Sequence, residues 1–392
     1  MKKKIGILGS TGSIGENTVK IIQNNKKDFE VKFLSTNRNV KKLLKQSSIL
    51  KPKSVIIFDK GEFIKNKKKF TKKKIKVFNS FNELKINSLK KKIDYIMCSI
   101  TGLAGLDSTI NCIDKTKNIA IANKESIICA WNLIEKKLIE NKTKFIPVDS
   151  EHFSIWSLLK NESIDNVDKV FITASGGPFL NLPLSKFKNI NRSQALNHPN
   201  WKMGNKITID SATMMNKVFE IIEAKNIFNL EYKKIFALIH PKSYVHAIIK
   251  FKNGITKILI HETSMKIPIF NALYYNDLNK KISSKEIDIK ILNNLNFSKP
   301  DTKKFKALKF IKMLPKKISL FETILITAND EIVKLFLRNK ISFREIVPTI
   351  HKIIKYKDFK KFKKIMPKNL ENITELSKFV RFKIQSIVYK NH

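Results

Sequence analysis

Lys4-Ile5-Gly6-Ile7-Leu8-Gly9-Ser10-Thr11-Gly12-Ser13-Ile14-Gly15 opens the chain with a short apolar run and a loop punctuated by glycine. The run reads as a strand, and Val19, Ile21 and Ile22 read as the apolar face of the helix that follows. Between them, Gly9, Gly12 and Gly15 let the backbone approach a pyrophosphate, whose charge suits a helix N-terminus. The spacing is G-x-x-G-x-x-G rather than the commoner G-x-G-x-x-G, and a turn made only for helix–strand packing would look the same. The next predicted strand, Val31 to Ser35, ends in Thr36-Asn37-Arg38-Asn39. A site for NAD places an acid here to hold the ribose 2′-OH. Hydroxyls, amides and one guanidinium suit a 2′-phosphate, so the stretch points to NADP, with a solvated Arg38 as the plainer alternative.

Working outward, short apolar strands at Ser54–Phe58, Tyr95–Ser99, Ile119–Ala122 and Phe145–Val148 alternate with helical stretches. That alternation is the βαβ pattern of a mostly parallel sheet covered by helices. The expected fold class is therefore α/β, with a Rossmann-like NADPH-binding domain over residues 1–149. Ile100 to Gly105 is expected to line the cofactor crevice, and Asn123-Lys124-Glu125-Ser126 to lie at the carboxyl edge of the sheet, where ligands gather. Residues 150–276 read as a central α+β catalytic domain with later strands at Ile235–Ile239, Val245–Phe251 and Ile255–Ile260. A Lys-rich connection is expected over 277–302. Apolar residues at helical spacing (Phe305, Leu308, Ile311; Ile332, Leu335, Phe336; Ile346, Ile350, Ile353) predict a small helical domain over 303–392.

Chemistry concentrates between His198 and Glu223. On a helix, residues three and four apart share a face, so Asn216 and Lys217 fall near Glu220. Asp210-Ser211 stands where an N-cap is expected. A capping serine, an amide and an ammonium can hold a phosphate, and a carboxylate one turn later can hold a metal. Upstream, Asp149 and Glu151 are two residues apart and, at the end of an extended segment, would point the same way. With Glu220 they make three hard oxygen ligands, a set for Mg²⁺ or Mn²⁺ rather than zinc. Ile172 to Phe179 reads as a strand opening into a Ser175-Gly176-Gly177 loop whose amides can converge on an anion.

PVDSEH (147–152), TASGGPF (173–179), HPNWKMG (198–204) and DSATMMNKVFE (210–220) together resemble the signatures of the 1-deoxy-D-xylulose-5-phosphate reductoisomerase family. GSTGSIG (9–15), ANKES (122–126) and IHPKSYVH (239–246) extend the likeness over most of the chain. The resemblance implies an NADPH- and divalent-metal-dependent enzyme (Mg²⁺, Mn²⁺ or Co²⁺) of the non-mevalonate route to isoprenoids. It would rearrange 1-deoxy-D-xylulose 5-phosphate to a branched aldehyde and reduce that to 2-C-methyl-D-erythritol 4-phosphate. Carried over by position, Asp149, Glu151 and Glu220 resemble the metal ligands, and Ser175, Ser211, Asn216 and Lys217 the phosphate clamp. Ser150 and Lys124 would touch substrate hydroxyls. His198 and Trp201 resemble an active-site flap that excludes water. Thr11, Gly12, Ser13 and Ile14, with Asn37, Arg38 and Asn39, would hold NADPH; Asn123 and Glu125 would lie between substrate and cofactor, and Met203 and Gly204 near the nicotinamide. His152 and His246 match family histidines, for which a role in orienting neighbours is an equal reading. A homodimer is implied by the resemblance alone.

The pattern departs from the family in places. His261-Glu262-Thr263-Ser264-Met265-Lys266 stands where a Gly and an Asp usually precede Met-Arg, and Ile326 to Asp330 replaces Asn-Ala-Ala-Asn-Glu. Val218 and Leu180 replace a small residue and an arginine. Met265 could pack by the nicotinamide, by the flap or in plain core.

The formal charge of +44, from 77 Lys and Arg against 33 Asp and Glu, prompts a search for nucleic-acid contacts. The lysines are spread along the whole chain beside a general richness in Asn, Ile and Phe, a pattern of A/T-rich codons. No specific nucleic acid is therefore expected, only loose, salt-sensitive affinity for polyanions. No apolar run is long enough for a membrane span. The first strand begins so close to Met1 that no leader is expected, and Cys98, Cys112 and Cys129 read as free buried thiols of a cytoplasmic protein. Three rivals follow: another NADP-dependent oxidoreductase such as a semialdehyde dehydrogenase, a nonenzymatic polyanion binder, and a decayed relative that folds without turnover. The first needs a nucleophilic Cys in the second domain, yet all three cysteines precede Asp149. The second has no use for the acidic triad.

Overall fold

The computed structural model describes residues 1–201, 203–277, 279–284, 286 and 288–389. Residues 278, 285 and 287 of the expected connection, and the last three of the expected helical domain, lie outside them. Two compact units divide the chain: Met1–Ser126, Asn132–Asp149 and Met265–Ile282 form the first, and Ile127–Trp131, Ser150–Ser264 and Ser283–His392 the second.

The first unit is built on β1 (Lys3–Leu8), β2 (Phe29–Thr36), β3 (Ser54–Ile57), β4 (Lys76–Phe78), β5 (Ile93–Cys98), β6 (Thr116–Ile121) and β7 (Lys144–Pro147). All pair in parallel, in the order β4-β3-β2-β1-β5-β6-β7. Helices cover both faces of such a sheet, which is why Ile5, Ile7 and Leu8 are wholly buried without alternation. The strand order reverses at β1, so the crevice beyond β1 and β5 is the ligand position of an open α/β sheet. Only β4 escapes the sequence reading, being three residues long with a lysine at its start.

Helix α1 (Ser13–Asn24) follows the glycine loop directly. A Cβ on Gly15 would lie 2.2 Å from the Gly9 carbonyl oxygen, so the first turn of α1 sits against the loop too closely for a side chain. The glycine pattern thus serves packing as well as access to the helix start. Helix α2 (Lys124–Glu140) begins beyond β6 and is broken at Ala130, where φ is −139°. The segment Met265–Ile282 also belongs to this unit. Its helix Lys266–Leu273 packs on α1, burying Ile269, Phe270 and Leu273, while the Tyr274 hydroxyl and Lys280 ammonium bind Asp28 at 2.7 and 2.8 Å. The expected boundary at 276 therefore differs from the compact units, because an apolar face some 240 residues downstream of α1 completes the cover of α1.

The second unit carries β8 (Val167–Ala174), β9 (Ile235–Ile239), β10 (Val245–Phe251) and β11 (Thr256–Ile260) in the order β11-β10-β8-β9. β10 is antiparallel to β8 and β11, and β8 is parallel to β9. Helices α3 (Ser150–Leu158) and α5 (Met215–Phe228) cover one face, where Ile155, Ile221 and Ala224 meet Val170, Ile172, Ala247 and Ile249. Each of these isoleucines removes enough apolar surface from water to contribute ~1.5–3 kcal/mol.

Helix α4 (Asn205–Ala212) precedes α5. Helices α6 (Phe321–Leu337), α7 (Ile346–Ile354) and α8 (Leu370–Tyr389) form the expected helical tail. They fall in the same compact unit as Ser150–Ser264. Asn329 donates to Asp210 at 2.8 Å, and Lys206 binds Asp210 and Asp330 at 2.9 and 3.0 Å, tying α6 to α4. The altered stretch Ile326–Asp330 thus keeps polar anchors of its own.

Two local expectations are corrected. Asp210-Ser211 is no N-cap: both residues close α4, and α5 starts after Met214, which takes a left-handed conformation with φ 64°. Asp210 spends its carboxylate on Lys206 and Asn329 instead of on helix amides. Glu151 is not on an extended segment but in the first turn of α3, where the chain already turns helically and the Ser154 hydroxyl donates back to the Ser150 carbonyl at 2.6 Å.

Gly15→Ala should cost ~1–3 kcal/mol of stability in urea unfolding, since the methyl meets backbone rather than a mobile side chain. A second test concerns Glu322, in the first turn of α6, whose carboxylate accepts from the Ser319 amide and hydroxyl at 3.2 and 2.7 Å. Burial outweighs those bonds and raises its pKa to about 7. A folded pKa above the unfolded one gives stability that is complete at low pH and lost as pH rises through 7. Urea stability should fall by on the order of 3 kcal/mol between pH 5 and pH 8, and Glu322→Gln should flatten the profile.

Candidate active site

In the first unit, candidate cofactor residues collect beyond the ends of β1, β2, β5 and β6. Gly12 caps α1 with no side-chain acceptor, leaving the first amides of the helix for an anion. The Thr11 hydroxyl meets that of Thr36 at 2.8 Å, pinning the glycine loop to the end of β2. Asn37, Arg38 and Asn39 are exposed there. Arg38 donates from Nε to Asp59 at 2.8 Å while 79% of its side chain stays open, so it is held in place with its outer nitrogens facing solvent. Asn39 caps the next helix by accepting from the Lys42 amide. Asn123 is committed to the backbone: its Oδ1 accepts from the Ser126 amide, and its Nδ2 donates to the Ile100 and Gly102 carbonyls. It positions the loop beside the crevice. Glu125 is buried at the start of α2, and Lys124 pairs with Asp149.

The second unit holds the candidate phosphate residues and two of the candidate ligand carboxylates, Glu151 and Glu220. Lys217, 3% exposed, places its ammonium 2.9 Å from Glu151 and also against Glu220 and the Thr173 carbonyl. Burial by itself would lower the pKa of this ammonium. The Glu151 and Glu220 carboxylates overcome that, and the net shift is upward. Asn216 donates to the other Glu220 oxygen, and Ser150 donates to Glu151 at 2.6 Å. His152 is fully buried, with Nε2 2.9 Å from the Glu220 carbonyl and Nδ1 3.9 Å from Glu223, so it braces the ligand-bearing helix.

Gly176 and Gly177 turn with φ of 85° and 68°, bringing the Ser175 loop within about a Cβ contact of Ser211 and Ala212. His198 joins the two serines: its Nε2 lies 3.2 Å from Ser175 Oγ and 3.1 Å from Ser211 Oγ. Its Nδ1 accepts from the Asn200 and Trp201 amides at 3.2 and 3.0 Å, which assigns the ring proton to Nε2. Burial lowers its pKa to about 4, so His198 is neutral at pH 7. Trp201 stands edge-on to His246, 6.1 Å away. Met203 and Gly204 lead into α4, whose N-cap is Gly204 with no side-chain bond. Lys202 of the same motif lies outside the described residues.

Sequence reasoning missed Glu223, the Thr173 carbonyl, Asn200 and His261. Glu223 lies one turn beyond Glu220, and helical spacing would have found it. The other three are brought in by strand pairing and loop closure.

Family models described as 1-deoxy-D-xylulose 5-phosphate reductoisomerase and its C-terminal domains match residues 5–131, 145–228 and 260–383. A relative so named from Pelagibacter ubique is 56% identical over 386 residues, covering 98% of this chain and 99% of its own. The chain belongs to this reductoisomerase family. A further member from Wolbachia pipientis of Culex pipiens is 38% identical, covering 94% and 95%. The solved reductoisomerase of Zymomonas mobilis with NADPH superposes with a TM-score of 0.88 at 30% identity over 99% of both chains. Another, bound to NADPH, fosmidomycin and magnesium, gives 0.85 at 30% identity over 99% of this chain and 98% of its own. The α/β class with a Rossmann-like sheet is therefore as expected, and a semialdehyde dehydrogenase or a pure polyanion binder is not favoured.

Removing the charge that joins these two acids should be costly. Lys217→Met is expected to lose about 3–5 kcal/mol in denaturant unfolding at pH 7, by leaving Glu151 and Glu220 uncompensated.

Proposed function

We infer that the chain is an NADPH- and divalent-cation-dependent oxidoreductase that converts 1-deoxy-D-xylulose 5-phosphate, NADPH and a proton to 2-C-methyl-D-erythritol 4-phosphate and NADP⁺. The observation that carries this reading is Lys217, a buried ammonium between two acids, in a chain with the family's motifs from end to end. Asp149, Glu151 and Glu220 are the cation ligands in this reading. Their carboxylate oxygens fit Mg²⁺, Mn²⁺ or Co²⁺, and Asp149 precedes Glu151 by two residues on the same strand-to-helix turn. When bound, the cation polarises the substrate ketone and NADPH supplies the hydride.

The chain's own residues orient and protect. Ser175, Ser211, Asn216 and Lys217 take the phosphate, whose grip fixes the reacting end by leverage. Neutral His198 donates from Nε2 to the serine hydroxyls, leaving their protons to face the phosphate oxygens. Lys124 and Ser150 bind substrate hydroxyls. Trp201 covers the bound substrate and keeps water from it. Thr11, Gly12, Ser13 and Ile14 present α1's free amides to the pyrophosphate, Asn37, Arg38 and Asn39 meet the 2′-phosphate, and Asn123, Glu125 and Gly204 border the nicotinamide side. A homodimer in the cytoplasm is the expected state, with no specific nucleic-acid partner. Among the described residues no helix is long and apolar enough to cross a membrane.

The test follows NADPH oxidation with 1-deoxy-D-xylulose 5-phosphate. Turnover should need Mg²⁺ or Mn²⁺, vanish with a chelator and in Glu220→Gln, fall to a trace in Asp149→Asn, and be blocked by fosmidomycin. Chelator-insensitive turnover, or a preference for NADH, would overturn the assigned roles.

A further inference from the structure

His246 and His261 form a stacked pair, ring centroids 3.9 Å apart and planes within 17°. The pairing of β10 with β11 makes it. Val245 faces Ile260 and Ala247 faces Leu259, so His246 is the extra residue of a bulge. A bulge re-aims one side chain and twists the strand. Here it turns the His246 ring onto His261, whose own amide donates to the Tyr244 carbonyl at 3.0 Å.

Each imidazole is held on one side only. His261 Nδ1 lies 2.7 Å from the Glu262 carbonyl, so it carries the proton and donates it. His246 is bonded to the backbone of His261. The Nε2 atoms of both rings are buried and have no hydrogen-bond partner among the described residues. Burial keeps both rings neutral, with Glu151 and Lys217 among the charges His246 senses and Glu151 among those His261 senses. The result is two unpartnered lone pairs within electrostatic reach of Glu151 and Lys217, on the strands against which α3, the helix that carries Glu151, packs. Trp201 stands edge-on to the His246 ring of this pair.

Buried acceptors of this kind need a donor. A small cation does not suit them, because lone pairs in near-parallel planes do not converge on one ion. Hydroxyl groups on neighbouring carbons do, each donating to one ring. We propose that His261, together with His246, forms a hydroxyl-accepting wall that positions the polyhydroxylated carbon chain of the substrate. His261 is then a specificity-determining residue of this chain, in the segment that departs from the family pattern. The proposal rests on the reductoisomerase reading above.

The test compares full-length wild type with His261→Phe, which keeps the stack and removes the acceptor, and His261→Gln, which keeps an acceptor. Thermal melting and NADPH affinity report the fold. In His261→Phe the KM for 1-deoxy-D-xylulose 5-phosphate should rise about tenfold, the worth of a buried hydrogen bond, while kcat changes far less. His261→Gln should recover most of the loss. Fosmidomycin, a hydroxamate phosphonate without carbon-borne hydroxyls, should inhibit all three forms alike. A wild-type KM in His261→Phe, or an equal loss of substrate and fosmidomycin affinity, overturns the proposal. An inactive wild type would instead count against the reductoisomerase reading, and calorimetric titration of the same ketose phosphate into the three forms would still decide the role of His261.

Discussion

A buried ammonium between one buried and one partly buried carboxylate constrains everything near it in the second unit. Lys217 and Glu220 are one turn apart on α5, Glu151 comes from the start of α3, and the Thr173 carbonyl comes from the end of β8. Taking these charges out of water is costly unless each is matched and hydrogen-bonded. The helix starts and the strand end must therefore meet at one place, and Ser150, Asn216 and His152 supply the remaining bonds. The same arrangement that settles the folded state concentrates carboxylate oxygens and an ammonium in one place.

Around that cluster the polar groups are tuned by burial rather than by added charge. His198 bridges two serines as a neutral ring, with its tautomer assigned by two backbone amides. The stacked pair of His246 and His261 stays neutral for the same reason. On a chain with a formal charge of +44, uncharged histidines let the site be shaped without adding to the net positive field. The surface lysines contribute little to the fold, exposed ion pairs being worth ~0–1 kcal/mol each.

The alternation of apolar strands with helices in the first unit (β4 excepted), the glycine loop and the helical period of α6 and α7 were legible, because each depends on neighbours a few residues away. So was the grouping of Asn216, Lys217 and Glu220, which a helix dictates whatever surrounds it. The N-cap expected at Asp210-Ser211 failed for a long-range reason: Asn329 and Lys206 claim the Asp210 carboxylate, and Met214 makes the break between helices. Likewise, nothing local in Lys266–Leu273 says which unit it joins, and only its packing on α1 assigns it to the first.

Read alone, the amino-acid order determined the α/β class, the family and, with it, the dependence on NADPH and a divalent cation. Periodicity, glycine freedom and ligand chemistry are local properties, and they survive without coordinates. Tertiary structure decided which groups share a proton, a charge or a face. It put Glu151 on a helix, gave Asn123 to the backbone, and used a strand bulge to lay His246 on His261. Those outcomes depend on the register of distant segments and on how much water each group loses, and neither quantity is written in the spacing of the residues.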